Sequence, residues 1–81
     1  MGRVRVRYFG FLAGEMGKEV EVEVGEAARV EDVVKLPEGM SLDDVVVLVN
    51  GVAVKKGEAV RPGDVVSVMP HISGGTRGLP A

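Results

Sequence analysis

The first part of the chain alternates between apolar and charged side chains. Arg3-Val4-Arg5-Val6-Arg7-Tyr8-Phe9 begins in strict alternation, and Lys18 to Val24 repeats it with Glu19, Glu21 and Glu23 against Val20, Val22 and Val24. A period of two is the signature of a strand with one wet face. The two runs predict an antiparallel hairpin with Val4, Val6, Val20, Val22 and Val24 toward the core. Arg3, Arg5 and Arg7 then face Glu19, Glu21 and Glu23 on the other side. Each cross-strand ion pair contributes roughly 0.2–1 kcal/mol. The ladder also fixes register, because a one-residue slip would send charges into the core. A solvated sheet face accounts for the three arginines more simply than a phosphate site. The stretch between the runs, with Gly10, Gly14 and Gly17, reads as a loop.

After Gly25 the period changes. Val30, Val33 and Val34 fall at helical spacing with Glu31, Asp32 and Lys35 outside. Acidic residues in a first turn suit the helix dipole. Pro37 stops the helix and Gly39 follows, which leaves about two turns. Ser41-Leu42-Asp43-Asp44 resembles a capping box with Asp in the fourth position, but it runs straight into a strand and reads as a turn. Val45 to Val49 is a near-continuous apolar run, as in a strand buried on both faces or close to it. Asn50-Gly51 predicts a tight hairpin into Val52 to Val54. Arg61-Pro62-Gly63-Asp64 fits a type II turn, and Val65 to Met69 is the last strand, ended by Pro70. The order is strand, strand, helix, strand, strand, strand. A lone helix must cover one face of a sheet to bury its own stripe. The expectation is an α+β fold, a β-grasp-like (ubiquitin-like) roll with a mixed sheet of about five strands under one short helix. The domain spans residues 1–72 and a tail spans 73–81.

Composition narrows the chemistry. Eighty-one residues make one small domain. Cysteine is absent, which excludes disulfides, thiolate metal sites, iron–sulfur clusters and cysteine nucleophiles. His71 is the only histidine, so a zinc or copper site would need carboxylates or a second chain; the expectation is no metal and no bound cofactor. Asp43, Asp44 and Asp64 are turn formers without EF-hand spacing. Glutamine is absent and Asn50 is the only asparagine, a pattern common in heat-adapted proteins. A net charge of -2, with no isolated basic cluster and few aromatics, argues against nucleic acid as a partner. No apolar run approaches membrane-spanning length. The N-terminus lacks a signal-peptide apolar region, and Val6 stands where myristoylation wants Ser or Thr. The expectation is a soluble cytoplasmic protein.

Met69-Pro70-His71-Ile72-Ser73-Gly74-Gly75 leaves the last predicted strand and ends in two glycines. Two residues without Cβ in that place point to a tail that enters a partner's narrow site. Pro70 fixes φ at its root. Taken alone, Ser-Gly-Gly is more often a plain glycine-rich end. His71 without partners reads as exposed. The run from Gly74 to Gly78 lacks the Lys-Ser/Thr ending of a phosphate loop. Phe9, Phe11 and Met69 read either as an apolar docking patch or as core filling.

Several of these positions together resemble a known family. Val49-Asn50-Gly51, Val54, Val60, Gly63-Asp64, Val66, Pro70 and Ile72-Ser73-Gly74-Gly75 resemble the ubiquitin-like sulfur carriers of the MoaD/ThiS type. Val6-Arg7-Tyr8-Phe9-Gly10, Leu12-Ala13 and Gly17 resemble the small subunit of molybdopterin synthase, the MoaD branch. The resemblance covers residues 3–75. It implies a carrier without catalytic residues of its own, whose Gly75 is activated by an adenylating enzyme of the ubiquitin-activating type that uses ATP. The acyl-adenylate then becomes a thiocarboxylate and gives sulfur to an acceptor, in this branch a pterin precursor on the large subunit of molybdopterin synthase. Pro70, His71, Ile72, Ser73, Gly74 and Gly75 would be the inserted tail.

The chain departs from that pattern in two places. Gly75 is followed by Thr76, so its carboxyl is an amide until a peptidase removes residues 76–81, as ubiquitin precursors require. The helix region is also shorter than the family implies. Two other readings stay open: a ubiquitin-like modifier joined to lysines through Gly75, and a β-grasp interaction module whose tail has no chemistry.

Overall fold

Strand β1 (Gly2–Tyr8) carries the arginines, and β2 (Glu19–Val24) lies antiparallel to it in the expected register, with Arg3 opposite Glu23, Arg5 opposite Glu21 and Arg7 opposite Glu19. The computed structural model describes residues 2–70. Three more strands complete one mixed sheet: β3 (Val45–Val49), β4 (Val52–Val54) and β5 (Val65–Pro70), in the order β2-β1-β5-β3-β4. β1 and β5 run parallel, and the other neighbours run antiparallel. The expected α+β roll of five strands is the one that forms.

Its core is built almost entirely from valine. Val4, Val6 and Tyr8 of β1, Val66 and Val68 of β5, and Val45 and Val47 of β3 line one face of the sheet. Leu12, Val30, Val33, Val34 and Val60 close over them. Val24 of β2 joins this core, but Val22 is half-buried and Val20 is 37% exposed. The expectation that all three valines face the core therefore holds fully only for Val24. β2 is an edge strand, and α1 (Phe11–Met16) packs on β1 and β5 instead.

That helix corrects the reading of residues 10–17 as a loop. Leu12 is fully buried and Met16, four residues on, packs against the core. Gly10 and Gly17 flank the helix and Gly14 lies within it: Ala13 N–H donates to the Gly10 carbonyl, and Gly17 N–H donates to that of Ala13. The second helix, α2 (Val30–Val33), has one turn instead of two. Arg29 N–H donates to the Asp32 carboxylate at its start. Val34 closes the turn on Val30 and is already extended, with ψ 115. The cause lies at Lys35, whose N–H donates to the Tyr8 hydroxyl at 3.0 Å while that hydroxyl donates to the Lys35 carbonyl at 2.8 Å. A side chain from β1 satisfies the backbone that a longer helix would have used, and Leu36 before Pro37 disfavours helix as well. Ser41-Leu42-Asp43-Asp44 is a turn, tightened to one 3-10 turn (Leu42–Asp44), with Ser41 N–H donating to Asp44.

The two predicted turns are in place. Asn50 and Gly51 have φ 52 and 87 between β3 and β4, and Gly63 has φ 94 with Asp64 N–H donating to the Arg61 carbonyl. Asn50 does more than turn the chain. Its amide donates to Asp64 at 3.0 Å and accepts from Val65 N–H at 3.0 Å, which ties the hairpin to the start of β5.

Candidate functional site

The last strand sits in the middle of the sheet. β5 is flanked by β1 on one side and β3 on the other, so the chain leaves the fold from its centre and not from an edge. Pro70, its last residue, is half-buried and in register with Val45. On the other flank Phe9 N–H donates to the Val68 carbonyl at 3.0 Å, extending the β1–β5 pairing by one step. His71, Ile72, Ser73, Gly74 and Gly75, with the boundary between domain and tail, lie outside the described residues.

The sheet face opposite the core is divided in two. Registers place Arg3, Arg5 and Arg7 on it, with Val65 beside Arg5 and Ser67 beside Arg7. The same registers carry the row across β3 and β4: Val46 opposes Met69, and Leu48 opposes both Ser67 and Ala53. One half of the face is therefore a charge ladder. The other half is an apolar strip of Val46, Leu48, Val65 and Met69, each half-buried with no element over it among the described residues. Ion pairs in the ladder run diagonally as well as directly. Arg3 meets Glu21 at 3.2 Å, Arg5 meets Glu19 at 3.3 Å and Arg7 meets Glu19 at 3.7 Å. All are solvent-exposed, so each is worth at most about 1 kcal/mol.

Phe9, Phe11 and Met69 stand outside the buried core. Phe9 is 38% exposed at the end of β1, on the side of Arg7, whose guanidinium lies 5.8 Å from the ring centre. Phe11 opens α1 and is 60% exposed. Met69 is half-buried on the apolar strip. Val46, Leu48 and Val65 were missed by the sequence reading. A near-continuous apolar run predicts burial on both faces or close to it; Val45 and Val47 are buried in the core, and among the described residues no layer covers Val46 and Leu48, which are half-buried.

On the core side, a groove of about 560 Å³ opens over β3 and β4, floored by Val30, Leu42, Val45, Val47 and Val54 with Lys55 and Lys56 at its rim. A helix of one turn leaves this area uncovered. Among the described residues no group of carboxylates and histidine could hold a metal, and no helix is long and apolar enough to cross a membrane.

The ThiS family model matches residues 6–75, from β1 through Gly75. The chain belongs to the ThiS family. Two crystal structures of small archaeal modifier protein 1 from Haloferax volcanii share its fold. One has a TM-score of 0.73 at 30% identity, over 89% of this chain and 98% of that one. The other has a TM-score of 0.69 at 28% identity, over 86% and 98%. A Pyrococcus furiosus protein described as molybdopterin converting factor, subunit 1, is 36% identical over 86% of this chain and 98% of its own, with a TM-score of 0.62. A comparison with curated proteins returned no match. The ThiS-family chain is thus one of the ubiquitin-like carriers and modifiers, which are carriers rather than enzymes. Sequence identity is higher to the molybdopterin protein, and backbone similarity is higher to the modifier.

Proposed function

We propose that this ThiS-family protein is a cytoplasmic sulfur carrier, acting as the small subunit of a molybdopterin synthase and activated at Gly75. The observation that carries the reading is the span of the family match, which stops on Gly75 although the chain continues into Thr76. A peptidase hydrolyses the Gly75–Thr76 amide and leaves a carboxylate. In the adenylating partner a carboxylate oxygen attacks the α-phosphorus of ATP and pyrophosphate leaves. A hydrosulfide equivalent then attacks the acyl carbon, AMP departs, and Gly75 ends in a thiocarboxylate. The sulfur passes to a pterin precursor on the larger subunit, or to another sulfur acceptor.

Five residues separate Pro70 from that carboxyl, a reach of at most roughly 18 Å. Ordering them costs about 1–2 kcal/mol per residue. Docking of the body has to offset that cost, and the strip of Val46, Leu48, Val65 and Met69, with Phe9 and Phe11 near the strand exit, supplies apolar area for it.

The test uses a chain ending at Gly75, which keeps every described strand and helix. Incubated with ATP, sulfide and its adenylating partner, it gains the mass of sulfur in place of oxygen. No gain with an active partner sinks the carrier reading. The fold similarity to small archaeal modifier protein 1 favours a second reading, conjugation through Gly75 to lysines of other proteins. Lysine-linked adducts in cell extract, lost in Gly75→Ala, would establish it.

A further inference from the structure

Gly10 stands where β1 turns into α1, with φ 64 and ψ −144. A Cβ built there would lie 3.0 Å from Cγ and 3.3 Å from Cδ of Pro70. Most other described glycines have open space at that position; Gly17 has an ordinary contact with Val20 at 3.9 Å, and Gly2 meets Pro62 in a turn far from the strand exit. Gly10 is itself held firmly. Phe9 N–H is bonded to Val68 on one side of it, and its own carbonyl accepts from Ala13 N–H at 3.1 Å on the other. Pro70 in turn has φ set by its ring and lies in register with Val45. The final residue of β5 is thus seated between the β3 backbone and a glycine that leaves room for its ring.

We propose that Gly10 is a positioning residue that sets the direction in which the chain leaves β5. The inference rests on the carrier reading of Gly75. Pro70 is the last described residue before Gly75, and the tail starts from wherever its ring is held. A Cβ at 3.0 Å obliges the Pro70 ring to give by a few tenths of an ångström, and misplacement on that scale at the root of the tail lowers the rate at a reacting group. Gly10 touches neither ATP nor the acyl carbon and acts only through Pro70.

The experiment compares chains ending at Gly75 by ATP–pyrophosphate exchange with the adenylating partner, alongside the Kd for that partner. Gly10→Ala is expected to lower kcat on the order of ten- to a hundredfold with an unchanged Kd. Adding Pro70→Ala removes the ring that the new methyl meets but not the strain of a side chain at φ 64, so Gly10→Ala is expected to lower kcat less in the Pro70→Ala background than in the parent. Pro70→Ala by itself leaves the Gly10 backbone unstrained and is expected to lower kcat; it carries the test if Gly10→Ala fails to fold. A folded Gly10→Ala with the parent kcat overturns the proposal, as does a Gly10→Ala effect of equal size in the parent and Pro70→Ala backgrounds, or a Pro70→Ala chain with the parent kcat. An unsubstituted chain that is not adenylated overturns the carrier reading instead.

Discussion

Tyr8 joins two parts of the fold that are distant in sequence. Its ring is buried in the valine core, and its hydroxyl both donates to and accepts from the backbone of Lys35. Tyr8→Phe keeps the ring and strands both Lys35 groups, so a loss of about 1–3 kcal/mol is expected in denaturant unfolding. Burial raises the phenol above its ordinary value of 10.0, partly opposed by the Lys35 N–H bond. A raised folded pKa means that the stability held by the neutral phenol is complete below pH 10 and is lost as pH climbs through the folded value. The stability difference between the parent and Tyr8→Phe should therefore shrink above pH 10. A pH-independent difference would show that the phenol does not titrate with folding.

At the scale of elements, α1 is the instructive one. Glycines at both ends and one inside hid it, since Gly10, Gly14 and Gly17 all read as loop. The available signal was Leu12 and Met16, an apolar pair one helical turn apart, and both reach the core. If α1 closes the core, Leu12→Ala should cost about 2–5 kcal/mol, seen as a lower denaturant midpoint. A cost near zero would make α1 a surface loop in practice. α2 shows the opposite error. Its valines at 30, 33 and 34 are all buried as expected, but only one turn is helical because Tyr8 captures Lys35. Periodicity reports which side chains face inward. It does not report a competing hydroxyl from another strand. The charged face of the β1–β2 hairpin was readable because a one-residue slip would bury charge, but a two-residue slip would not; the fold sets the rungs, and the ion pairs of Arg3 and Arg5 run diagonally across them.

At the scale of the whole molecule, the sheet has one covered face and one that is open among the described residues. The open face carries the apolar strip of β3 and β5 beside the arginine ladder, and the functional reading needs a partner to sit there. Leu48→Glu places a charge on the strip without touching the core. It should leave the thermal midpoint nearly unchanged and weaken partner binding by at least about tenfold, as for a central interface residue. Equal affinity would move the docking surface elsewhere, toward Phe9 and Phe11. Neither the strip nor the groove under Lys55 and Lys56 was legible beforehand. Both depend on what is missing from a layer, and a sequence lists only what is present.

Local pattern settled the strands, the two tight turns and the charged face of the first hairpin, because alternation, Asn-Gly and Pro-Gly each act within a few residues. The closing Gly-Gly, with the turn order before it, was enough to indicate the family. Tertiary structure alone decided that β5 lies between β1 and β3. It also decided that α2 stops after one turn and that Pro70 rests against Gly10. Those outcomes follow from contacts between segments tens of residues apart, where burial and backbone bonding choose among arrangements that local preference leaves equal.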